Sequence, residues 1–436
     1  MFILSGKEEK IKFKEFDFKY ILKERTYDTN HLIVVFSGFG GKSNFTYDFL
    51  NALQSSRSYV LWIKDDFYDN NKATYYLDPI YLNTNNLEIA IVGFIETLLD
   101  YLKIDRRNCT FLGCSKGGSS ALYYGVKYNF KNILVSAPTL LIGSSVAGIS
   151  PKGNVKNMAK FLLGEELKRE NIELIDNKII SAIETDDDFD KNIYLLSSKA
   201  DPKYSDQIKP FLGYFHQYYN FNFLESKSVL VRTHQDVTYH NAPLILSILG
   251  CLTFNSTISF KNSVIYGDEL DRSVEITKKP FIKIRRLNFD EKGFFYPEGV
   301  FFLKGVPCAE YRDLNYVLKL KSESKNYEIS LAKMENKKIS KNYYEDAFVN
   351  YDKAYFCTFK NEGLDMSNIE PGIYQIFIEI SMRWTGDVCE VPLTSSQAVK
   401  SVINSLNKEK VEINLNFAQR VFVEDNKVYY SKSNIL

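Results

Sequence analysis

The chain has 436 residues, 45% hydrophobic and 25% charged, with a net charge of +1. That length favours two domains and is ample for cores that need no staples. Lys and Arg are scattered, which excludes the basic footprint of a nucleic-acid or anionic-membrane binder. The six cysteines (109, 114, 251, 308, 357 and 389) form no CxxC pair, so neither a disulfide framework nor a metal site is expected.

In chain order, residues 11–21 alternate as a strand and 31–36 (HLIVVF) form a short continuous apolar run. Residues 44–55 read as a helix, 59–63 as a strand and 86–103 as a long amphipathic helix. A strand at 109–112, a helix at 119–128 and a strand at 132–136 follow. Residues 154–185 read as helical, 193–197 as a strand, 206–218 as a helix, 228–231 as a strand, and a last helix starts near Pro243. Buried strands separated by amphipathic helices mean an α/β domain with a mostly parallel, helix-covered sheet. Residues 139–185 break the rhythm and are the candidate lid insertion. Past residue 256 the segments become short, alternating and aromatic, the pattern of a C-terminal antiparallel β-sandwich with one helix at 394–407. The expected division is 1–255 and 256–436, within a boundary zone of 253–265.

Chemistry concentrates in the first part. Gly113-Cys114-Ser115-Lys116-Gly117-Gly118 lies between a strand and a helix. A serine hydroxyl is a weak nucleophile that needs a base in hydrogen-bond reach and donors aimed at the developing oxyanion. A tight strand-to-helix turn lifts the side chain above the sheet, and glycines on both sides avoid Cβ clashes. Ser115 is therefore the candidate nucleophile, against a plain glycine-rich turn. Cys114 reads as a packing residue, and Lys116 contributes its backbone N–H to the oxyanion hole. The second donor is expected from Ser37-Gly38-Phe39-Gly40-Gly41, with Phe39 or Gly40 as the better positions. Gly41-Lys42-Ser43 also fits the end of a phosphate loop, but Phe36 stands where that motif needs glycine.

Asp201 follows the 193–197 strand and is placed to orient a base, with Asp206 as fallback. Of the four histidines, His31 reads as structural and His216 as a helix surface residue. His234 and His240 both follow the last strand, and His234 is preferred with His240 as the alternative base.

The order Ser115, Asp201, His234 over residues 10–255 resembles the α/β-hydrolase superfamily. More narrowly, Gly-Cys-Ser-Lys-Gly-Gly at 113–118, Ser-Lys-Ala-Asp-Pro at 198–202 and His-Gln-Asp-Val at 234–237 resemble bacterial capsular-polysaccharide biosynthesis proteins and the O-acetyltransferase component of accessory secretion systems. That resemblance implies transfer of an acetyl group from acetyl-CoA, through acetyl-serine, to a sugar hydroxyl. It implies a carbohydrate partner, no bound cofactor, and a homo-oligomeric or glycan-assembly context. The chain shows no signal-peptide pattern and no apolar run long enough to span a membrane, so cytoplasmic residence, free or peripheral at the inner membrane, is expected. An esterase of the same mechanism and a non-catalytic scaffold that kept the fold are the rival readings. In the β domain, Trp384, Tyr343, Tyr344, Tyr351 and Tyr355 are candidates for stacking on sugars.

Overall fold

A computed structural model describes residues 2–38, 47–68, 74–148, 154–267, 276–344, 348–406, 412–414 and 417–434. The chain divides into two compact units, residues 1–269 and 270–436.

In the first unit, β1 (Glu8–Phe13) and β2 (Phe16–Lys23) form an antiparallel hairpin, followed by β3 (Leu32–Phe36) and β4 (Tyr59–Ile63). Helix α1 (Asn86–Leu102) precedes β5 (Cys109–Cys114), and α2 (Lys116–Lys127) leads into β6 (Asn132–Ser136). Three helices, α3 (Ile142–Gly148), α4 (Asn154–Leu163) and α5 (Arg169–Glu184), intervene before β7 (Asn192–Ser197). Helix α6 (Tyr204–Gln207), β8 (Asn220–Ser226), α7 (His234–Thr253) and β9 (Asn262–Tyr266) complete it.

The sheet order is β1-β2-β4-β3-β5-β6-β7-β8-β9, parallel from β4 through β9. Side chains of the central strands alternate between two cores. Leu32, Val34, Phe36, Phe111, Ile133, Val135, Ile193 and Leu195 enter the core shared with α1, α2 and α5. Ile33, Val35, Leu112, Leu134, Tyr194 and Leu196 enter the one shared with α7. Burial on both faces is why these strands read as continuous apolar runs. After β3 the chain builds β4 on one side, then returns to place β5 on the other. The carboxyl ends of β3 and β5 therefore flank a topological switch point, where such sheets leave a crevice.

Several local expectations are corrected. Residues 47–55 form turns rather than a helix: Phe49 takes a left-handed backbone (φ 57°), and the Asp48 carbonyl accepts the indole N–H of Trp62 at 2.9 Å. The long helical stretch breaks at Gly164 (φ 89°) into α4 and α5. Residues 206–218 split into the end of α6 and a 3₁₀ helix at Lys209–Gln217 that starts with proline near its first turn. The strand expected at 228–231 lies earlier, at Asn220–Ser226. Helix α7 starts at His234, and Pro243 sits inside it. Among the described residues no helix is long and apolar enough to cross a membrane.

The second unit is an antiparallel sheet. Its strands are β10 (Pro280–Phe289), β11 (Phe295–Leu303), β12 (Leu314–Lys321), β13 (Asn326–Met334) and β14 (Tyr355–Cys357). They continue as β15 (Gly372–Met382), β16 (Val388–Pro392), β17 (Glu412–Asn414), β18 (Phe417–Glu424) and β19 (Lys427–Asn434). The hydrogen-bonded path runs β10-β11-β14-β13-β12-β15-β19-β18-β17, with β16 paired to β15. It curls until β10 meets β18. The alternation seen in β12 and β15 puts Tyr316, Leu318, Leu320, Ile376, Ile378 and Ile380 into one enclosed core.

Candidate active site

Ser115 sits at the turn from β5 into α2 with φ 50° and ψ −120°, a backbone that L-residues rarely adopt. The surrounding backbone enforces it. A Cβ on Gly113 would lie 2.1 Å from the Gly117 carbonyl oxygen, and one on Gly117 would lie 2.1 Å from that of Phe36. Only glycine lets α2 start this close to β3 and β5. The Ser115 N–H is fixed by the Ser136 carbonyl at 2.9 Å.

Asp201 is delivered by the loop after β7. Its carboxylate is buried, with one oxygen accepting the Lys203 N–H at 2.9 Å. His234 is the first residue of α7. Thr233 and Asp236 close that helix with a capping box, in which the Asp236 carboxylate accepts the N–H groups of Thr233 (2.8 Å) and Arg232 (3.1 Å). The cap fixes the backbone on which the imidazole stands.

These three side chains meet. His234 Nδ1 lies 2.8 Å from Asp201 Oδ2, and its Nε2 lies 2.8 Å from Ser115 Oγ. A carboxylate only accepts, so Nδ1 carries the hydrogen and the neutral ring accepts the serine hydroxyl proton at Nε2. His240 lies further along α7 with its ring against Tyr239 at 5.0 Å, and the contact to Ser115 is made by His234. Asp206, exposed on α6, bonds Ser205 instead. His31 is buried against Thr110 (2.8 Å), and His216 is exposed on the 3₁₀ helix.

Lys116 has a part that its sequence position did not announce. Its backbone N–H is the first of α2, among those that no helical carbonyl can satisfy. Its side chain, however, is fully buried and paired with an equally buried Asp65 at 2.6 Å, beside the ring of Tyr76 at 4.7 Å. Asp65 also accepts from the Thr74 N–H (2.8 Å), the Thr74 hydroxyl (2.9 Å) and the Tyr76 N–H (3.3 Å). On the other flank, Asp48 Oδ2 accepts the Gly38 N–H at 2.7 Å and the Cys114 thiol at 3.2 Å. Burial raises the Asp48 carboxyl above its usual range and holds Cys114 well above the ordinary thiol value. Cys114 therefore stays a protonated packing group. Phe39 and Gly40, the expected donors of the second oxyanion contact, lie outside the described residues, as does Gly41-Lys42-Ser43. Among the described residues no group of three His, Cys, Asp or Glu side chains is placed to hold a metal ion.

The model of a family described as accessory Sec system GspB-transporter matches residues 78–207, which include Ser115 and Asp201. Among solved structures, the capsule O-acetyltransferase of Neisseria meningitidis serogroup A is similar at 21% identity and a TM-score of 0.45, over 57% of this chain and 99% of that one. The Glycosylation Associate Protein (Gap123) complex of Streptococcus agalactiae is similar at 20% identity and a TM-score of 0.43, over 56% of this chain and 45% of that one. An S-formylglutathione hydrolase of Agrobacterium tumefaciens gives 12% identity and a TM-score of 0.39, over 57% and 93%. A search of curated proteins finds no significant match. The chain thus resembles accessory Sec proteins over residues 78–207, and capsule O-acetyltransferase and serine hydrolases are among its structural neighbours.

Proposed function

We propose that this chain is a serine-dependent acyltransferase that acts on a bacterial surface carbohydrate, as an O-acetyltransferase of capsule or glycan biosynthesis. The observation that carries this reading is the unbroken Ser115–His234–Asp201 hydrogen-bond chain at the switch point of the sheet.

In this reading Ser115 Oγ attacks the acetyl carbonyl of acetyl-CoA while His234 Nε2 takes the hydroxyl proton. Asp201 stabilises the resulting imidazolium without taking the proton itself. The Lys116 N–H is the proposed first oxyanion donor, and Phe39 or Gly40 is the second donor expected from the sequence. Collapse expels the CoA thiolate, which receives the proton from His234 and leaves acetyl-Ser115. A sugar hydroxyl then enters, gives its proton to His234, and attacks the ester carbonyl. The second tetrahedral intermediate returns that proton to Ser115 Oγ as the sugar ester departs. The carbohydrate acceptor and the acetyl-CoA donor are what the sequence resemblance implies, and use of acetyl-CoA fits a cytoplasmic, soluble or membrane-peripheral enzyme. The helices at 142–184 are proposed as the cover of the acceptor side.

The test is acetyl-CoA turnover with and without capsular oligosaccharides, together with mass spectrometry of the trapped enzyme. Acetylation at Ser115 and acceleration by an oligosaccharide are expected, with Ser115→Ala losing about 10⁴-fold or more in kcat. Fluorophosphonate labelling that persists in Ser115→Ala would overturn the nucleophile. Acetyl release to water that no acceptor accelerates would turn the reading to an esterase.

A further inference from the structure

Of the five aromatic residues considered for sugar contact, four are disposed of by packing or lack of anchoring. Tyr351 is buried, stacked on Phe302 at 4.0 Å, and its hydroxyl accepts the Gly305 N–H at 2.8 Å. Tyr343 packs on Phe281 and Phe302, at 4.5 and 5.4 Å. Tyr355 lies within β14 with its hydroxyl toward Glu298, and Tyr344 is only 41% exposed. Trp384 differs from all of them. It lies in the turn after β15, and 66% of it faces solvent.

That indole is exposed yet not loose. Its Nε1–H donates to Asp313 Oδ1 at 2.8 Å, and Asp313 is itself 7% exposed. The other Asp313 oxygen accepts the Glu310 N–H at 2.8 Å, and its carbonyl accepts the N–H of Arg383 at 2.8 Å. Lys333 pins the same turn through the carbonyls of Tyr311 and Leu314, both at 2.7 Å. The indole N–H is thus satisfied internally while most of the residue stays exposed to water. Two guanidinium groups lie over the ring, with the Arg312 and Arg383 carbons 5.6 and 5.3 Å from its centre. Both arginines are exposed, and neither pairs with a carboxylate among the described residues.

We propose that Trp384, Arg312 and Arg383 form a binding site for an acidic saccharide, a pyranose ring bearing a carboxylate. An indole face matches the C–H face of a pyranose, and a preorganised ring loses little entropy on binding. Guanidinium forks take a carboxylate in bidentate fashion and are less tightly hydrated than ammonium groups. Bases also stack on indole, but nucleic-acid binding needs a long basic track, and the chain carries a net charge of only +1. The site does not involve Ser115, so its fate is separate from that of the proposed acyl transfer.

The protein offers its own reporter. It has two tryptophans, and Trp62 is fully buried, so a ligand-dependent shift or acrylamide protection reports on Trp384. Full-length protein is titrated with a sialic-acid hexamer, the same hexamer reduced at its carboxyl groups, a maltose hexamer and a thymidine hexanucleotide. Calorimetry repeats the titrations in Ser115→Ala, Trp384→Ala, Trp384→Phe and Arg312→Gln/Arg383→Gln. The expected result is binding of the acidic hexamer, equal in Ser115→Ala and weakened as salt screens the arginines. Trp384→Ala should weaken it about tenfold, the scale of burying part of one indole face. Trp384→Phe should retain part of the affinity, and the double arginine variant should bind acidic and reduced hexamers alike. Equal affinity for the two hexamers in the native protein, tighter binding of the oligonucleotide, or no loss in folded Trp384→Ala would overturn the proposal.

Discussion

Replacing Lys116 by Met probes the least expected part of the site. The substitution keeps the chain length and apolar stem but removes the ammonium 2.6 Å from Asp65 in a place where both side chains are fully buried. Among the described residues Asp65 would keep the Thr74 and Tyr76 donors, so a buried carboxylate would stand without this countercharge. Breaking one side of such a pair costs about 3–5 kcal/mol. For a unit of this size that corresponds to a midpoint about 6–20 °C lower. Removing both charges in Asp65→Asn/Lys116→Met should restore much of the loss, giving a coupling of about 2 kcal/mol or more across the cycle. Scanning calorimetry of the four proteins measures this. Acetyl-CoA turnover below the midpoint should also fall in Lys116→Met, because the lost pair with Asp65 anchors the residue whose backbone N–H is the proposed oxyanion donor. A single variant within about 1 kcal/mol of the native protein, or a double variant no more stable than the single, would refute the reasoning.

Three further outcomes are expected. Asp236→Ala removes the carboxylate that caps α7, and should cost about 1 kcal/mol of stability. Because His234 stands on that cap, kcat should fall about ten- to a hundredfold at unchanged KM, and an unchanged kcat would reduce Asp236 to a structural cap. Gly117→Ala drives a methyl into the Phe36 carbonyl and should cost about 3 kcal/mol or more in urea unfolding; a near-native midpoint would sink the steric account. Burial lowers the His31 ring to about 4 from 6.5. Its folded value lies below its unfolded one, so the stabilisation is complete above about pH 6.5 and disappears as pH falls toward 4, amounting to about 3 kcal/mol. His31→Gln should flatten that part of the stability profile, and parallel profiles would exclude the assignment.

What was legible in the sequence was whatever physical chemistry writes locally. Ser115 could be read because its glycines are the only residues that fit the crossing of β5 and α2, and Asp201 because a buried strand runs straight into its loop. The two histidines could not be ranked with the same ease. Pro243 reads as a helix start and makes residues 234–240 a loop, while the signal that settles the helix boundary is Thr233-x-x-Asp236. The alternation in Asn220–Ser226 competes with the apolar run at 228–231 that follows it, and the chain forms its strand on the former. The Lys116–Asp65 pair spans 51 positions, and no local pattern announces a contact of that range.

The elbow also says something about how freely the pocket can be rebuilt. Its shape is held by main chain against main chain, at Gly113 and Gly117, rather than by the side chains that face a substrate. The proposed nucleophile, mounted in this way, is largely indifferent to the chemistry of the walls around it. In the proposed reaction, lining residues can be exchanged to admit a longer acyl chain or a different sugar while the attack angle stays the same, and two added methyl groups would undo it.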